Sequence, residues 1–315
     1  MKRVFAFARH PLVRAAFLAA ALGLAVWAVA RDWERVTAAI GGIPWPVTLA
    51  AVLASVAYVL VSMQSWRAVL ADMGSPMGLR DSADVFLVSQ VGKYIPGGVW
   101  NVVAGAELAK DKGVRRSRAG GALAMTMLVS VLVGTVFAGI GAVVAPHGLP
   151  GWVRLLGLAA PIAAVCLHPR VLSRLLAVSL RLVRRPDVAT DFTPRGVALA
   201  SAWAALAWLL AGGQVWALAV GLGLAATAGT AALAVGGFAA AWLVGLAALF
   251  MPAGIGAREL VLFPVFAASL DRGEVVALVI ASRVLLTVAD LLAAAIPLAS
   301  RRRGGTEPDR LASSA

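Results

Sequence analysis

Long apolar blocks alternate with short polar connections through most of this chain. The blocks fall near 12–30, 46–70, 119–145, 152–168, 196–220, 226–250 and 275–299. Each is close to the roughly 17–25 residues that cross a bilayer as a helix. Two further segments, 84–108 and 252–270, are apolar but interrupted by proline and glycine. The pattern predicts an all-α, polytopic membrane helix bundle of about eight spans. In this reading 84–108 enters and leaves by the same face as a re-entrant broken hairpin, and 252–270 crosses as a short broken helix, with a second re-entrant loop as its rival.

Composition agrees with the pattern. Of 315 residues 61% are hydrophobic, with a formal net charge of +13. Mean hydropathy is +0.89. The basic residues collect in short connections: 1–14, 110–118, 170–195 and 301–303. Those at 146–151 and 221–225 carry no Lys or Arg. Positive residues favour the cytoplasmic side, so both termini are expected in the cytoplasm of a cell (inner) membrane protein. The loop 31–45, where Arg31 and Arg35 are offset by Asp32 and Glu34, falls outside. The block 12–30 reads as a retained first helix, because no convincing signal-peptidase site follows it.

The same charges attract anionic lipid headgroups. No nucleic-acid motif accompanies them, so nucleic acid is not an expected partner. Residues 170–185 space arginines among Leu and Val, as in an amphipathic helix on a membrane surface or a basic continuation of a membrane helix. The stretch 1–300 reads as one transmembrane domain and 301–315 as a disordered cytoplasmic tail.

Chemistry narrows next. The lone Cys166 has no disulfide partner within the chain. His10, His147 and His168 are scattered, with no metal-ligand spacing, so no metal and no cofactor is expected. Neither a GxSxG elbow nor a phosphate-cradling GxxxxGK[ST] loop occurs. The longest polar connection, about 28 residues, leaves no room for a soluble catalytic domain, and the chain is not expected to be an enzyme.

Three constellations carry polar chemistry within apolar surroundings. The first is Lys93-Tyr94-Ile95-Pro96-Gly97-Gly98-Val99-Trp100-Asn101, with Glu107 downstream. Proline removes a backbone donor and glycine weakens a helix, so the freed backbone groups must be satisfied by protein or by a wet cavity. The second, Pro252-Ala253-Gly254-Ile255-Gly256-Ala257-Arg258-Glu259, repeats the break and ends on a charged pair suited to an anion. The third is Arg283 and Asp290, two turns apart on one face of the last block. Charges inside a membrane are costly and usually paired, so Arg283 with Glu259 and Asp290 with Lys93 are the natural structural pairings. Each constellation also has a bland reading: a snorkelling lysine, a loop-to-helix junction and a helix lock.

These residues resemble a known family. KYIPGGVW with Glu107 after it, then PAGIGARE, then SRVLLTVAD in the last block look like the lysylphosphatidylglycerol synthase transmembrane-region, or flippase-like, family. The likeness runs over roughly residues 15–300, with Ala253 where a second glycine is frequent. It implies an integral membrane module that moves a phospholipid or lipid-linked glycan between leaflets. It also implies a site drawn from Lys93, Pro96, Gly97, Gly98, Glu107, Pro252, Gly254, Gly256, Arg258, Glu259, Arg283 and Asp290, to which the residues themselves add Asn101.

On this expectation Lys93 and Arg258 hold phosphate, while Glu107, Glu259 and Asp290 balance charge. Two alternatives remain open: an intramembrane transferase using Glu107 as base, and a non-catalytic subunit that recruits a soluble synthase or glycosyltransferase through 110–118 or 170–195.

Overall fold

The computed structural model describes residues 33–95, 100–144, 155, 157–182, 192–248, 254 and 256–304. The first block at 12–30, Pro96, Gly97, Gly98, Pro252, the loop 146–151 and the tail beyond Gly304 lie outside the described residues. Among the described residues every element is helical: α1 (Trp33–Gly42), α2 (Trp45–Asp72), α3 (Leu79–Ser89), a 3₁₀ turn (Gln90–Tyr94), α4 (Trp100–Lys110), α5 (Arg116–Val144), α6 (Ala160–Cys166), α7 (Pro169–Leu182), α8 (Pro194–Gly221), α9 (Ala228–Ala247), α10 (Glu259–Phe266) and α11 (Arg272–Gly304).

Five of these, α2, α5, α8, α9 and α11, are long and apolar enough to cross a membrane. Helices of this length and composition suit a multi-pass membrane protein. The spanning helices are apolar nearly all round rather than along one stripe, which suits lipid on one side and protein on the other. Leu53, Val143 and Leu209 stay exposed while Trp66, Val129 and Leu218 are buried.

Each of the five falls on an expected block. In the block 152–168, Leu155, Gly157 and Leu158 are helical, Ala159 is a turn, and helix resumes as α6 (Ala160–Cys166). Pro161, in the first turn of α6, has no N–H to bond back across that turn, which accounts for the interruption at Ala159. At the other end of the chain, α11 continues through Arg301–Arg303 to Gly304. Cationic side chains at a helix C-terminus meet the negative end of its dipole, so these arginines favour continuation.

α2 lies along α8, and Ser65 Oγ donates to the Ala200 carbonyl at 2.9 Å. α5 and α9 approach so closely that a Cβ on Gly236 would sit 2.7 Å from the Gly141 Cα. Small residues let membrane helices make such contacts. Trp208 stacks edge-on against Trp242 with ring centroids 5.3 Å apart.

One end of the bundle is polar. There the Asp72 carboxylate accepts from Thr193 N at 2.9 Å and Thr193 Oγ1 at 2.6 Å, tying the end of α2 to the start of α8. Arg118 donates to Ser75 Oγ at 2.6 Å. Lys112 pairs with Asp81 at 2.6 Å and with Asp84 at 2.9 Å. Hydrogen bonds to Asp81 first, and then to Asp84, hold the Lys112 ammonium above the ordinary lysine range. The start of α3 and the residues after α4 are thereby joined, and the two arms pack side by side. At their far end a Cβ on Gly92 would lie 2.6 Å from Asn101 N, so only glycine admits the approach.

Candidate functional site

Between the arms and the long helices lies a cavity of about 210 Å³. Tyr58, Ser62 and Ser65 of α2 line it, and they sit roughly 10–21 Å from the Asp72 end of that helix at 1.5 Å rise per residue. Thr126 and Ser130 of α5, Trp242 and Gly245 of α9, and Ser282 and Thr287 of α11 complete much of the wall. The cavity is therefore at the depth of the helix middles, displaced toward the polar end.

Both broken segments reach it. The 3₁₀ turn brings in Gln90, Lys93 and Tyr94, and α4 brings Asn101. Lys93 Nζ stands 2.7 Å from Asp290 Oδ2, where Tyr94 Oη also donates at 2.6 Å. Asp290 is buried, 3% exposed at its side chain, while Lys93 keeps 29%. The second segment brings Gly254, Arg258 and Glu259. Gly254 has φ 67° and Gly256 φ 87°, a left-handed backbone that glycine adopts without steric cost. The chain here turns tightly over α9: a Cβ on Gly254 would meet Gly245 Cα at 2.8 Å. A Cβ on Gly245 would in turn meet Arg258 Cγ at 2.8 Å. The missing side chain at Gly245 thus makes room for the arginine stem.

Arg283 Nη1 donates to Glu259 Oε1 at 2.8 Å. The two charges of α11 therefore pair with different segments, Arg283 with α10 and Asp290 with the 3₁₀ turn. Arg258 differs from both other cations: it makes no ion pair and no side-chain hydrogen bond among the described residues, and its buried Nε has no partner. Glu259 Oε2 and Asp290 Oδ1 are also buried without partners.

Of the residues singled out from sequence, Lys93, Asn101, Gly254, Arg258, Glu259, Arg283 and Asp290 meet at this one cavity. Gly256 shapes the turn beside it. Glu107 stands apart, its carboxylate 2.6 Å from Arg116 with both side chains more than half exposed. Pro96, Gly97, Gly98 and Pro252 fall outside the described residues. Lys93 is engaged by Asp290 rather than free as a phosphate holder. Tyr94, Gly92 and Gly245 matter more than their sequence context suggested. A phenol beside an intramembrane lysine was a signal for Tyr94; nothing local marks Gly245.

The profile described as Lysylphosphatidylglycerol synthase TM region matches residues 13–294, nearly the whole chain. The chain belongs to this family. No curated protein matches it. As a lysylphosphatidylglycerol synthase TM region member, the chain is a membrane protein whose charged cavity is built inside the matched region.

Proposed function

We propose that this protein carries the headgroup of a phospholipid or lipid-linked glycan from one leaflet of the cell membrane to the other. The observation that carries the reading is the convergence of two broken segments, far apart in sequence, with the last long helix on one charged cavity at mid-helix depth. Discontinuous helices meeting at mid-depth are a recurrent way to hold polar cargo in a membrane. A cavity of about 210 Å³ is smaller than the roughly 300–1,000 Å³ of sites that swallow a whole drug-sized ligand. It suits a headgroup whose acyl or prenyl tails stay in the bilayer.

In this reading 84–108 is a re-entrant hairpin. The tie from Lys112 to Asp81 and Asp84 supports it, because both arms then begin and end at the same polar end. α10 has eight residues, about 12 Å of rise, so 252–270 would cross only with help from its flanks. The remaining spans bring the total to about eight with both termini cytoplasmic. The transferase alternative asks Glu107 to act as base. Its exposed pairing with Arg116, away from the cavity, favours transport over catalysis.

The experiment is leaflet exchange of fluorescent lipids in proteoliposomes. Arg258→Gln and Glu259→Gln are each expected to cut the rate by at least about tenfold, the scale of one lost charge-assisted contact, while reconstitution is unchanged. Native rates in both variants would remove this cavity from the transport path.

A further inference from the structure

Among the described residues, three cationic side chains line the cavity, Lys93, Arg258 and Arg283, against two carboxylates, Glu259 and Asp290. The described lining therefore carries one positive charge in excess. Next to lining residues in the sequence, positions 96–99, 249–253 and 255 carry no ionisable side chain. Two of the cations are already engaged: Lys93 at 2.7 Å from Asp290 and Arg283 at 2.8 Å from Glu259. The excess resides on Arg258, whose buried Nε has no partner among the described residues and whose stem is wedged over Gly245. Unpaired charge in a low-dielectric site is costly, so a ligand that supplies one negative charge is favoured. A second negative charge would arrive without a counter-charge unless an existing ion pair were broken.

We propose that the cavity is selective for a singly charged phosphodiester held by Arg258 and discriminates against a diphosphate. The inference rests on the headgroup-transport reading and narrows its cargo. Two sources share the chemistry: a glycerophospholipid and a sugar joined to a prenyl chain through one phosphate. Lipids joined through a diphosphate are excluded. The planar guanidinium can donate two parallel hydrogen bonds to a phosphodiester's two free oxygens. The Ser62 and Thr126 hydroxyls, which donate to the Tyr58 and Ala122 carbonyls, line the wall with Thr287 and can accept from the neutral remainder of the headgroup.

The test is binding to the full chain in a neutral detergent, followed calorimetrically. The probes are dihexanoylphosphatidylglycerol, a farnesyl phosphodiester of mannose and farnesyl diphosphate. At least one phosphodiester is expected to bind about tenfold or more tightly than the diphosphate, and the arm that does so names the source. Arg258→Gln should lower that affinity by about tenfold, and Arg258→Lys should restore part of it. Glu259→Gln removes one negative charge from the wall and should shift the preference toward farnesyl diphosphate.

Equal or tighter binding of the diphosphate by the native protein overturns the proposal, whatever the variants do. So does undiminished phosphodiester binding in a folded Arg258→Gln protein. Leaflet exchange separates this failure from that of the parent reading. Exchange without charge selectivity leaves transport standing and removes the charge rule. Selective binding without exchange does the reverse.

Discussion

Lys93 and Arg258 are cations in one cavity with different fates. Lys93 is compensated by Asp290, whose Oδ2 also takes the Tyr94 hydroxyl. Removing the acid alone strands an ammonium in an apolar setting. Asp290→Asn is expected to destabilise the protein by about 2 kcal/mol in detergent unfolding, less than a fully buried pair costs because Lys93 keeps partial exposure. Replacing both partners, Lys93→Met with Asp290→Leu, should recover most of that stability without restoring exchange. If the double variant stays as unstable as the single one, the pair is not the lock described here. These pairings were legible as chemistry, since intramembrane charges seek partners. Their geometry was not: Tyr94 and Asp290 are 196 positions apart, and no local pattern says which faces will meet.

At the scale of elements, the hairpin formed by α3, the 3₁₀ turn and α4 depends on a tie at one end and a close crossing at the other. The crossing admits no side chain at Gly92, where an added Cβ would strike backbone. Gly92→Ala should separate the arms and reduce exchange severely while the five long helices persist, with circular dichroism and transport assays as the readouts. The tie is electrostatic. Because the folded state holds the Lys112 proton more firmly, its contribution is complete below the unfolded lysine pKa, about 10.4, and fades as pH rises through the higher folded value. Native protein should therefore outlast Lys112→Gln by about 1 kcal/mol near neutral pH, with the gap closing only above about pH 10. The long helices were readable because twenty or more apolar residues have few other structures available in lipid. The short pieces were less so. Proline and glycine announce a break at 252–256, but whether chain beyond it crosses or returns depends on what it packs against.

For the whole molecule, sidedness is the open quantity that packing constrains. The ends of α2 and the starts of α3, α5 and α8 share one pole through Asp72, Ser75, Asp81 and Asp84. On a Cys166→Ser background, cysteines at Leu79 and Lys110 should react from the same side of sealed vesicles, and one at Ala226 from the other. Opposite accessibility of 79 and 110 would turn the hairpin into a crossing and add a span. The basic connections predict which pole faces the cytoplasm, because Lys and Arg in short loops favour that side. The cavity itself could not be read that way. It exists only where stretches far apart in sequence converge, and Gly245 shows the difficulty: its part is to carry no side chain beneath Arg258.

The spacing of Arg283 and Asp290 has one more consequence. Seven residues place them about 10.5 Å apart along α11, facing the same way, each fastened to a different short element. A slide of α11 by one turn, about 5.4 Å, stretches both fastenings together. The two pairs therefore oppose the same displacement of α11, one through the 3₁₀ turn and the other through α10.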